Sequence, residues 1–246
     1  MTEVNPSIPT MILPETIFQK LWYLSQRLLA LLVLLALVPL FIVLYVAVKL
    51  TSPGPFLYRQ VRPGLGGRLF KVIKIRSMTV GADKDKSLAI ATNINNPQIT
   101  KIGRKLRDLK LDELPQLWNV VMGDMALVGP RPIAPALHDK LCQDISHFNM
   151  RLSVRPGLTN IGQVSLWDNR PGEDVVEDWR ERFEGEWLYL QHRSVIHDVI
   201  LLAMTVVFML RKALRRGKKS SVAPVSTTPK NVVVALVGAF LAALLG

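Results

Sequence analysis

The chain contains 246 residues, 49% of them hydrophobic, and carries a formal net charge of +12. This length suits one large core, or one domain with membrane segments, and excludes a multidomain assembly. The only cysteine, Cys142, excludes an internal disulfide framework and a Cys-rich metal site. A hydrophobic and strongly basic chain indicates a polyanionic partner: nucleic acid, an anionic membrane surface or phosphorylated ligands.

An uncharged stretch near the N-terminus, residues 28–48, is bounded by Arg27 and Lys49. At ~1.5 Å per residue, a helix of this length crosses a ~30 Å hydrocarbon core. Basic residues follow, so the positive-inside rule places the next domain in the cytoplasm. Pro39 predicts a kink, either in a spanning helix or in a re-entrant hairpin whose two ends return to the cytoplasmic face. Composition by itself favours the span, because irregular backbone at membrane depth needs internal hydrogen-bond partners.

Changes in composition along the chain predict its organisation. The predicted segments are an N-terminal segment (1–20), a hydrophobic membrane helix kinked near Pro39 (21–50), a cytoplasmic catalytic domain (51–216), a linker rich in Ser, Thr, Pro and Lys (217–231) and a hydrophobic C-terminal tail (232–246). The tail is short for a bilayer span and suits a short anchor.

Two strand-like runs, 56–61 and 69–75, flank a Pro/Gly-rich segment and predict a β-hairpin. Its glycines lack the third glycine of a dinucleotide fingerprint and the Gly-Lys-Ser/Thr of a P-loop, so a plain turn is favoured over a nucleotide-binding loop. The polar stretch 79–100 predicts a loop. Apolar residues at helical spacing predict a basic amphipathic helix over 102–109 and two further amphipathic helices over 137–152 and 176–190. The apolar run 199–210 fits an interfacial or buried helix.

The excess charge is concentrated between residues 59 and 110, where thirteen Lys or Arg accompany three acidic residues. Directly after this span lie Asp112 and Glu113, followed by Pro115. Proline is tolerated in the first helical turn, so a helix is predicted to begin near Asp112 or Glu113 and to stop at Gly123.

Two interpretations of the adjacent carboxylates stay open. In the first, Asp112 is an N-cap and Glu113 a first-turn acid that complements the helix dipole. In the second, one carboxylate attacks phosphorus to form an acyl phosphate while the other binds a metal such as Mg²⁺, with nearby arginines reducing the charge repulsion. Arg131 between two prolines and Arg155 before Pro-Gly are either phosphate contacts held in place or surface arginines at structural turns. The histidine spacings do not fit a zinc pair.

Together these motifs resemble the bacterial sugar transferases, the monotopic phosphoglycosyl transferases that initiate exopolysaccharide, O-antigen and capsule synthesis. The resemblance covers about residues 20–215 and follows the family's order. Its pieces are the apolar helix with Pro39, Ser52-Pro53-Gly54-Pro55, Arg62-Pro63-Gly64, Phe70 to Met78, Leu111 to Val120, Gly123 to Pro132, and Val154-Arg155-Pro156-Gly157-Leu158-Thr159.

The resemblance implies an α+β, membrane-associated (monotopic) protein with an N-terminal re-entrant hydrophobic helix, a small β-hairpin and several amphipathic helices, on the cytoplasmic face of the bacterial inner membrane. It implies transfer of a sugar 1-phosphate from a UDP-sugar to polyprenyl (undecaprenyl) phosphate with release of UMP. Asp112 would be the nucleophile and Glu113, with Asp112, would bind Mg²⁺. The residues implied to contact substrate phosphate are Arg107, Arg131, Arg155 and Arg76.

Two departures from the family pattern stand out. Val38 occupies the position before Pro39 where serine is common in the family. A serine hydroxyl can bond a carbonyl that the proline frees, so its absence affects how sharply the helix bends. The segment 159–164 reads Thr-Asn-Ile-Gly-Gln-Val where relatives place other small residues, which bears on a sugar or acceptor pocket.

Two other functions compete with the transferase: a polyprenyl-diphosphate phosphatase using the same carboxylates, and a non-enzymatic basic membrane adaptor. Nucleic acid is disfavoured as a partner, because few aromatic residues accompany the basic residues of 59–110 to provide stacking. The sequence does not determine which sugar is transferred, which polysaccharide pathway is served or what the tail does. It also leaves the oligomeric state open, and a homo-oligomer is one possible state.

Overall fold

The computed structural model describes residues 12–82, 96–160 and 175–215. Seven α-helices and four strands occur in these ranges: α1 Ile17–Ala36, α2 Val38–Thr51, β1 Leu57–Pro63, β2 Leu69–Ile75, α3 Lys101–Asp108, α4 Gln116–Met122, β3 Ala126–Val128, α5 Pro135–Asp144, β4 Gly157–Thr159, α6 Val175–His192 and α7 Val195–Arg215. Short 3₁₀ turns cover Leu65–Gly67, Leu111–Glu113 and Phe148–Ser153. This mixture of helices and small sheets confirms the α+β prediction. The predicted linker and tail, most of the 79–100 loop and the first eleven residues lie outside the described residues.

The apolar N-terminal segment forms two helices that meet at Leu37 with a bend of 60°. Thr16 caps α1, its hydroxyl accepting from the Gln19 N–H while the Gln19 side chain accepts from the Thr16 N–H. The break falls one turn after Val33, where Pro39 in the first turn of α2 supplies no N–H to continue the α1 ladder. Among the described helices none alone is long and apolar enough to cross a bilayer, whereas α1 and α2 together meet that requirement by length and composition.

The first half of α1 is fastened to the rest of the protein by polar contacts. The Trp22 indole donates to Asp198 of α7 (2.8 Å), and the Gln26 amide oxygen accepts from the Leu127 N–H of β3 (2.7 Å). The Arg27 Nε donates to the Val121 carbonyl at the end of α4 (2.7 Å). These contacts hold the base of the bent helix pair against the α/β core.

Strands β1 and β2 pair antiparallel from Leu57 opposite Ile75 to Pro63 opposite Leu69, which confirms the predicted hairpin. Phe70 and Val72 alternate inward and pack on Ala30 of α1 and Val120 of α4. This cluster is the core beneath the carboxylate pair.

A second, parallel pair joins β3 to β4, with Ala126 opposite Gly157 and Val128 opposite Thr159. The two chains approach closely at glycines, since a Cβ on Gly157 would lie 2.1 Å from the Gly129 backbone nitrogen. The close pairing fixes the start of the segment Gly129-Pro130-Arg131-Pro132.

The predicted helix start near Asp112 or Glu113 needs correction. Helix α4 begins at Gln116, with Pro115 as its N-cap, and the two acids lie in the separate 3₁₀ turn before it. Lys110 adopts the left-handed conformation (φ 57°), which ends the preceding helical path and starts the turn. The predicted stop at Gly123 is confirmed by its φ of 85°.

The amphipathic patterns map onto helices with one interruption. The basic pattern forms α3, and the 176–190 stripe lies in α6. The 137–152 stripe divides between α5 and the turn Phe148–Ser153, because the chain reverses at His147 (φ 61°). The run 199–210 lies within the longer helix α7.

Candidate active site

Asp112 and Glu113 lie in the 3₁₀ turn between α3 and α4, against strand β2, with exposed fractions of only 6% and 8%. The Asn119 side chain fixes α4 to this strand: its Oδ1 accepts from the Ile73 N–H (3.1 Å) and its Nδ2 donates to the Lys71 carbonyl (2.8 Å). These two bonds hold the start of α4, and the 3₁₀ turn before it, against the hairpin. Lys74 of β2 can therefore reach the turn.

Glu113 is held by two cations from different elements. Its Oε1 accepts from Lys74 Nζ (3.1 Å) and Arg131 Nη2 (2.7 Å), and its Oε2 lies 3.4 Å from Arg131 Nη1. Burial alone would raise the pKa of this carboxyl, but the attraction of Arg131, Lys74 and Lys110 outweighs it and holds the pKa well below its usual range. Glu113 is therefore ionised across the physiological pH range.

Asp112 is in the opposite electrostatic situation. Burial, and then the adjacent charge of Glu113, raises its pKa, while Lys74, Arg107 and Lys110 act in the other direction. Two neighbouring carboxyls with pKa values pushed apart are typical of groups that take different chemical roles.

Arg107 stands close to Asp112 from the last turn of α3. Its Nε donates to Ser77 Oγ (2.8 Å), and burial lowers its pKa despite the attraction of Asp112 and Glu113. The structure therefore places Arg107 and Arg131, two of the four predicted phosphate-binding arginines, beside the carboxylate pair.

Arg62 of β1 also belongs to this site. Burial, and then repulsion from Arg131, lowers its pKa to about 10, while Tyr58 and Glu113 act in the other direction. Its Nη2 donates to the Gln60 amide oxygen (2.5 Å). We call the five cations around the two carboxylates the cationic cluster: Arg62, Lys74, Arg107, Lys110 and Arg131.

The cationic cluster exceeds the two carboxylates in charge, so the site favours an additional anion. Arginine and lysine side chains recognise phosphate through charge-assisted hydrogen bonds. Repulsion between Arg62 and Arg131 would be relieved by a phosphate oxygen between them.

Lys74 and Arg62 were not predicted as site residues from the sequence. The register of the hairpin indicates their location. Arg62 lies opposite Phe70, and Lys74 lies two residues after Val72, so both cations are on the sheet face that carries Phe70 and Val72. Arg151 and Glu186, which contact the Arg131 backbone, were also missed; they are distant in sequence, and no local pattern marks them.

Arg76 and Arg155 are engaged elsewhere. Arg76 donates to the carbonyls of Pro53 (2.5 Å) and Ser52 (2.8 Å), which fastens the Ser-Pro-Gly-Pro segment to the end of β2. Arg155 forms an ion pair with Glu15 and lies over the Tyr23 ring, 4.3 Å from its centroid. A phosphate contact by either residue stays a prediction.

The carboxylate pair suits Mg²⁺ better than metals that demand a full protein cage. In the described ranges no group of three or more His, Cys, Asp and Glu side chains is placed to hold a metal ion. Mg²⁺ commonly binds through one or two carboxylates together with substrate phosphates, which is the donor set that Asp112, Glu113 and a substrate phosphate would provide. The Oε2 of Glu113, with its long contact to Arg131, is the less engaged of the two Glu113 oxygens.

A buried Asp-Glu pair surrounded by an excess of cations has the charge that a phosphate-bearing ligand requires. Residues 19–212 match the bacterial sugar transferase family, and the chain belongs to that family.

Relatives of known name share this region. The chain is 42% identical over 178 residues to the UDP-glucose:undecaprenyl-phosphate glucose-1-phosphate transferase of Escherichia coli (strain K12), covering 72% of this chain and 38% of that protein. The protein of the same name from Caulobacter vibrioides is 41% identical over 172 residues, 70% of this chain and 63% of that protein. An Aeromonas hydrophila UDP-N-acetylgalactosamine-undecaprenyl-phosphate N-acetylgalactosaminephosphotransferase is 33% identical, covering 68% and 38%. The chain thus spans less than two thirds of each of these relatives.

Proposed function

We propose that this protein transfers a sugar 1-phosphate from a UDP-sugar to polyprenyl phosphate, releasing UMP and leaving a polyprenyl-diphospho-sugar. One observation carries the proposal: Asp112, with a raised pKa, lies next to an ionised Glu113 inside the cationic cluster. The relatives' names, which describe sugar-phosphate transfer to undecaprenyl phosphate, support the same reaction.

In the first step an oxygen of the Asp112 carboxylate attacks the sugar-bearing phosphorus of the UDP-sugar. A bond forms between that oxygen and phosphorus, and the bond from phosphorus to the bridging oxygen breaks, so UMP departs with the electron pair. The cationic cluster stabilises the charge on the equatorial and leaving oxygens. The low exposure of Asp112 keeps water from the acyl phosphate.

In the second step a phosphate oxygen of polyprenyl phosphate attacks the same phosphorus and the acyl phosphate bond breaks, which restores the Asp112 carboxylate. Mg²⁺, which Glu113 and Asp112 would hold, supplies neutralisation of diphosphate charge when bound. Arg131 and Lys74 keep Glu113 ionised and oriented for that role.

The lipid acceptor requires a membrane location, which we assign to the bent helix pair in re-entrant form, with the catalytic residues on the cytoplasmic face of the bacterial inner membrane. Large apolar side chains of α1 and α2 are exposed to a degree unusual for helices in water; Phe18 and Leu50 are 74% and 81% exposed. A bend of 60° suits a helix pair that enters and leaves one leaflet. This topology lies between a peripheral and a spanning protein.

UMP release from a panel of UDP-sugars, measured on purified membranes with polyprenyl phosphate, tests the activity and identifies the sugar. We expect Asp112→Asn to abolish release while the protein stays folded, because an amide is a poor nucleophile of nearly equal shape. Full activity of that variant would exclude Asp112 as the nucleophile.

Two further measurements separate the transferase from the competing functions. Release of inorganic phosphate from a polyprenyl diphosphate without any UDP-sugar would indicate a phosphatase. A basic adaptor would bind anionic vesicles equally well without Asp112 and Glu113, and would release no UMP from any sugar nucleotide.

A further inference from the structure

The backbone of Arg131 is held on both sides by side chains from distant parts of the chain. Its N–H donates to Glu186 Oε1 of α6 (3.0 Å), and its carbonyl accepts from Arg151 Nη2 (2.8 Å). The neighbouring residues are Pro130 and Pro132, which contribute no N–H groups of their own. Glu186 and Arg151 therefore provide polar anchors for the segment that carries Arg131.

Arg151 and Glu186 are themselves joined in a buried, two-bond ion pair. Arg151 Nε donates to Glu186 Oε2 (2.9 Å) and Nη2 to Oε1 (2.9 Å), with side-chain exposures of only 3% and 2%. The guanidinium also lies over the Phe148 ring, 4.7 Å from its centroid. Neither side chain has room to turn, so the Arg131 backbone has a fixed support.

Stability alone does not account for this ion pair. Desolvating two charges costs about as much as their attraction returns, and apolar replacements of similar volume are often neutral or stabilising. A buried pair whose spare hydrogen bonds go to both polar groups of one backbone residue is suited to fixing that residue in place.

We propose that Arg151 and Glu186 are positioning residues that act through Arg131. They fix its backbone so that the guanidinium meets Glu113 with both terminal nitrogens (2.7 and 3.4 Å) beside Asp112. The kinetic part of this inference rests on the proposed function. A displacement of ~1 Å at a catalytic site commonly costs about 100-fold in rate, so remote support of Arg131 has a measurable effect.

The test replaces the pair by apolar residues of similar length, Arg151→Met with Glu186→Met, so that no lone charge is buried. The matched control removes an exposed ion pair of α6, the helix that carries Glu186, by Glu177→Met with Arg180→Met. We expect the first double variant to fold and to lose about 100-fold in kcat for UMP release. The control is expected to stay within about 2-fold of the wild type.

A thermodynamic cycle with Arg131→Ala distinguishes positioning from general structural damage. If the pair acts through Arg131, adding Arg151→Met and Glu186→Met to the Arg131→Ala protein changes kcat by less than about 2-fold. An equal loss in both backgrounds would show that the pair acts independently of Arg131 and would overturn the inference.

Phenylglyoxal labelling of Arg131, followed by mass spectrometry, provides a readout that needs no activity. Release of the guanidinium from Glu113 is expected to raise the labelling rate about 10-fold in the pair variant but not in the control, in line with the loss of charge-assisted hydrogen bonds. An unchanged rate overturns the inference. Absence of UMP release from the wild type would instead defeat the proposed function, and labelling would still decide the positioning role.

Arg151→Met with Glu186→Gln covers the case in which the first double variant does not fold, since it also buries no lone charge. Glutamine keeps an oxygen for the Arg131 N–H, but the donor to the Arg131 carbonyl is lost, so the labelling rate of Arg131 should rise above that of the wild type. A wild-type labelling rate in this variant would contradict the proposal.

Discussion

At the scale of single residues, the site depends on two adjacent carboxyls that respond differently to the same burial. Glu113 has Arg131 and Lys74 at hydrogen-bond distance and stays ionised. The cations near Asp112 do not offset its burial together with the charge of Glu113, so its pKa is raised. In the proposed reaction the nucleophile is thus a carboxylate whose negative charge is only partly balanced by nearby cations.

Asp112→Asn is expected to stabilise the protein at pH 7. The pKa of Asp112 is higher in the folded chain than the 3.8 of the unfolded chain, so the folded chain holds this proton more tightly. The wild type therefore loses stability as pH rises through the folded pKa. Asparagine does not titrate and escapes that loss. Thermal unfolding at several pH values checks this: each kcal/mol recovered shifts Tm by about 2–4 °C. The advantage should vanish below the unfolded pKa, and an equal Tm at pH 7 would contradict the raised pKa.

Arg131→Lys should fold normally and lower UMP release roughly 10- to 100-fold, the equivalent of one charged hydrogen bond. Lysine keeps the charge but offers no planar pair of N–H groups to Glu113. Steady-state kinetics with the exposed Arg180→Lys as control measures the effect. Wild-type rates in Arg131→Lys would show that charge alone is required.

At the scale of elements, the site is built from short strands and turns that contact one another closely. The hairpin, the 3₁₀ turn Leu111–Glu113 and the parallel pair β3–β4 each supply one part of it. The hairpin and the Gly123 stop were predictable, since alternation and glycine punctuation are local signals. The turn was not distinguished from the helix, because the left-handed backbone at Lys110 is not marked by glycine or asparagine.

Gly157→Ala should destabilise the protein more than Gly67→Ala. At position 157 the new Cβ would lie 2.1 Å from the Gly129 nitrogen and 2.5 Å from its carbonyl oxygen, and neither backbone atom can rotate away. Overpacking of this kind costs about 1–3 kcal/mol or more. At Gly67 (φ +78°) a new Cβ would have no heavy atom within 4 Å, so alanine there adds only the left-handed strain of about 1–2 kcal/mol. Urea unfolding compares the two; an equal loss would contradict the close β3–β4 approach.

At the scale of the whole molecule, charge and hydrophobicity are separated in space. The bent pair α1–α2 exposes apolar side chains, while the cationic cluster gathers on the hairpin, α3 and the segment around Arg131. Hydrogen bonds of Trp22, Gln26 and Arg27 attach α1 to α7, β3 and α4. Under the proposed function, the cationic cluster would receive the phosphates of both substrates and the bent helix pair would bring the protein to the lipid substrate.

Pro39→Ala should favour a spanning topology over the re-entrant one, because alanine restores an N–H that can extend the α1 ladder through the bend. A cysteine introduced by Asn5→Cys reports the side of the membrane when labelled with an impermeant maleimide. Burial raises the pKa of the native Cys142 thiol to about 11, so that thiol contributes little background. We expect residue 5 to be cytoplasmic in the Pro39 protein and partly periplasmic in the variant. Periplasmic labelling in both would indicate a span from the outset.

The sequence alone determined the hairpin, the basic region and the candidate carboxylate pair, because alternation, proline, glycine and charge act over a few neighbouring residues. The α+β class was implied by the resemblance of its motifs to the family. Only the tertiary structure decided which cations surround that pair. It brought Arg62 and Lys74 to the site beside Arg107 and Arg131, engaged Arg76 and Arg155 elsewhere, and set Arg151 and Glu186 behind Arg131. These contacts join residues up to 140 positions apart. Their formation depends on the packing of whole elements, which no local pattern records.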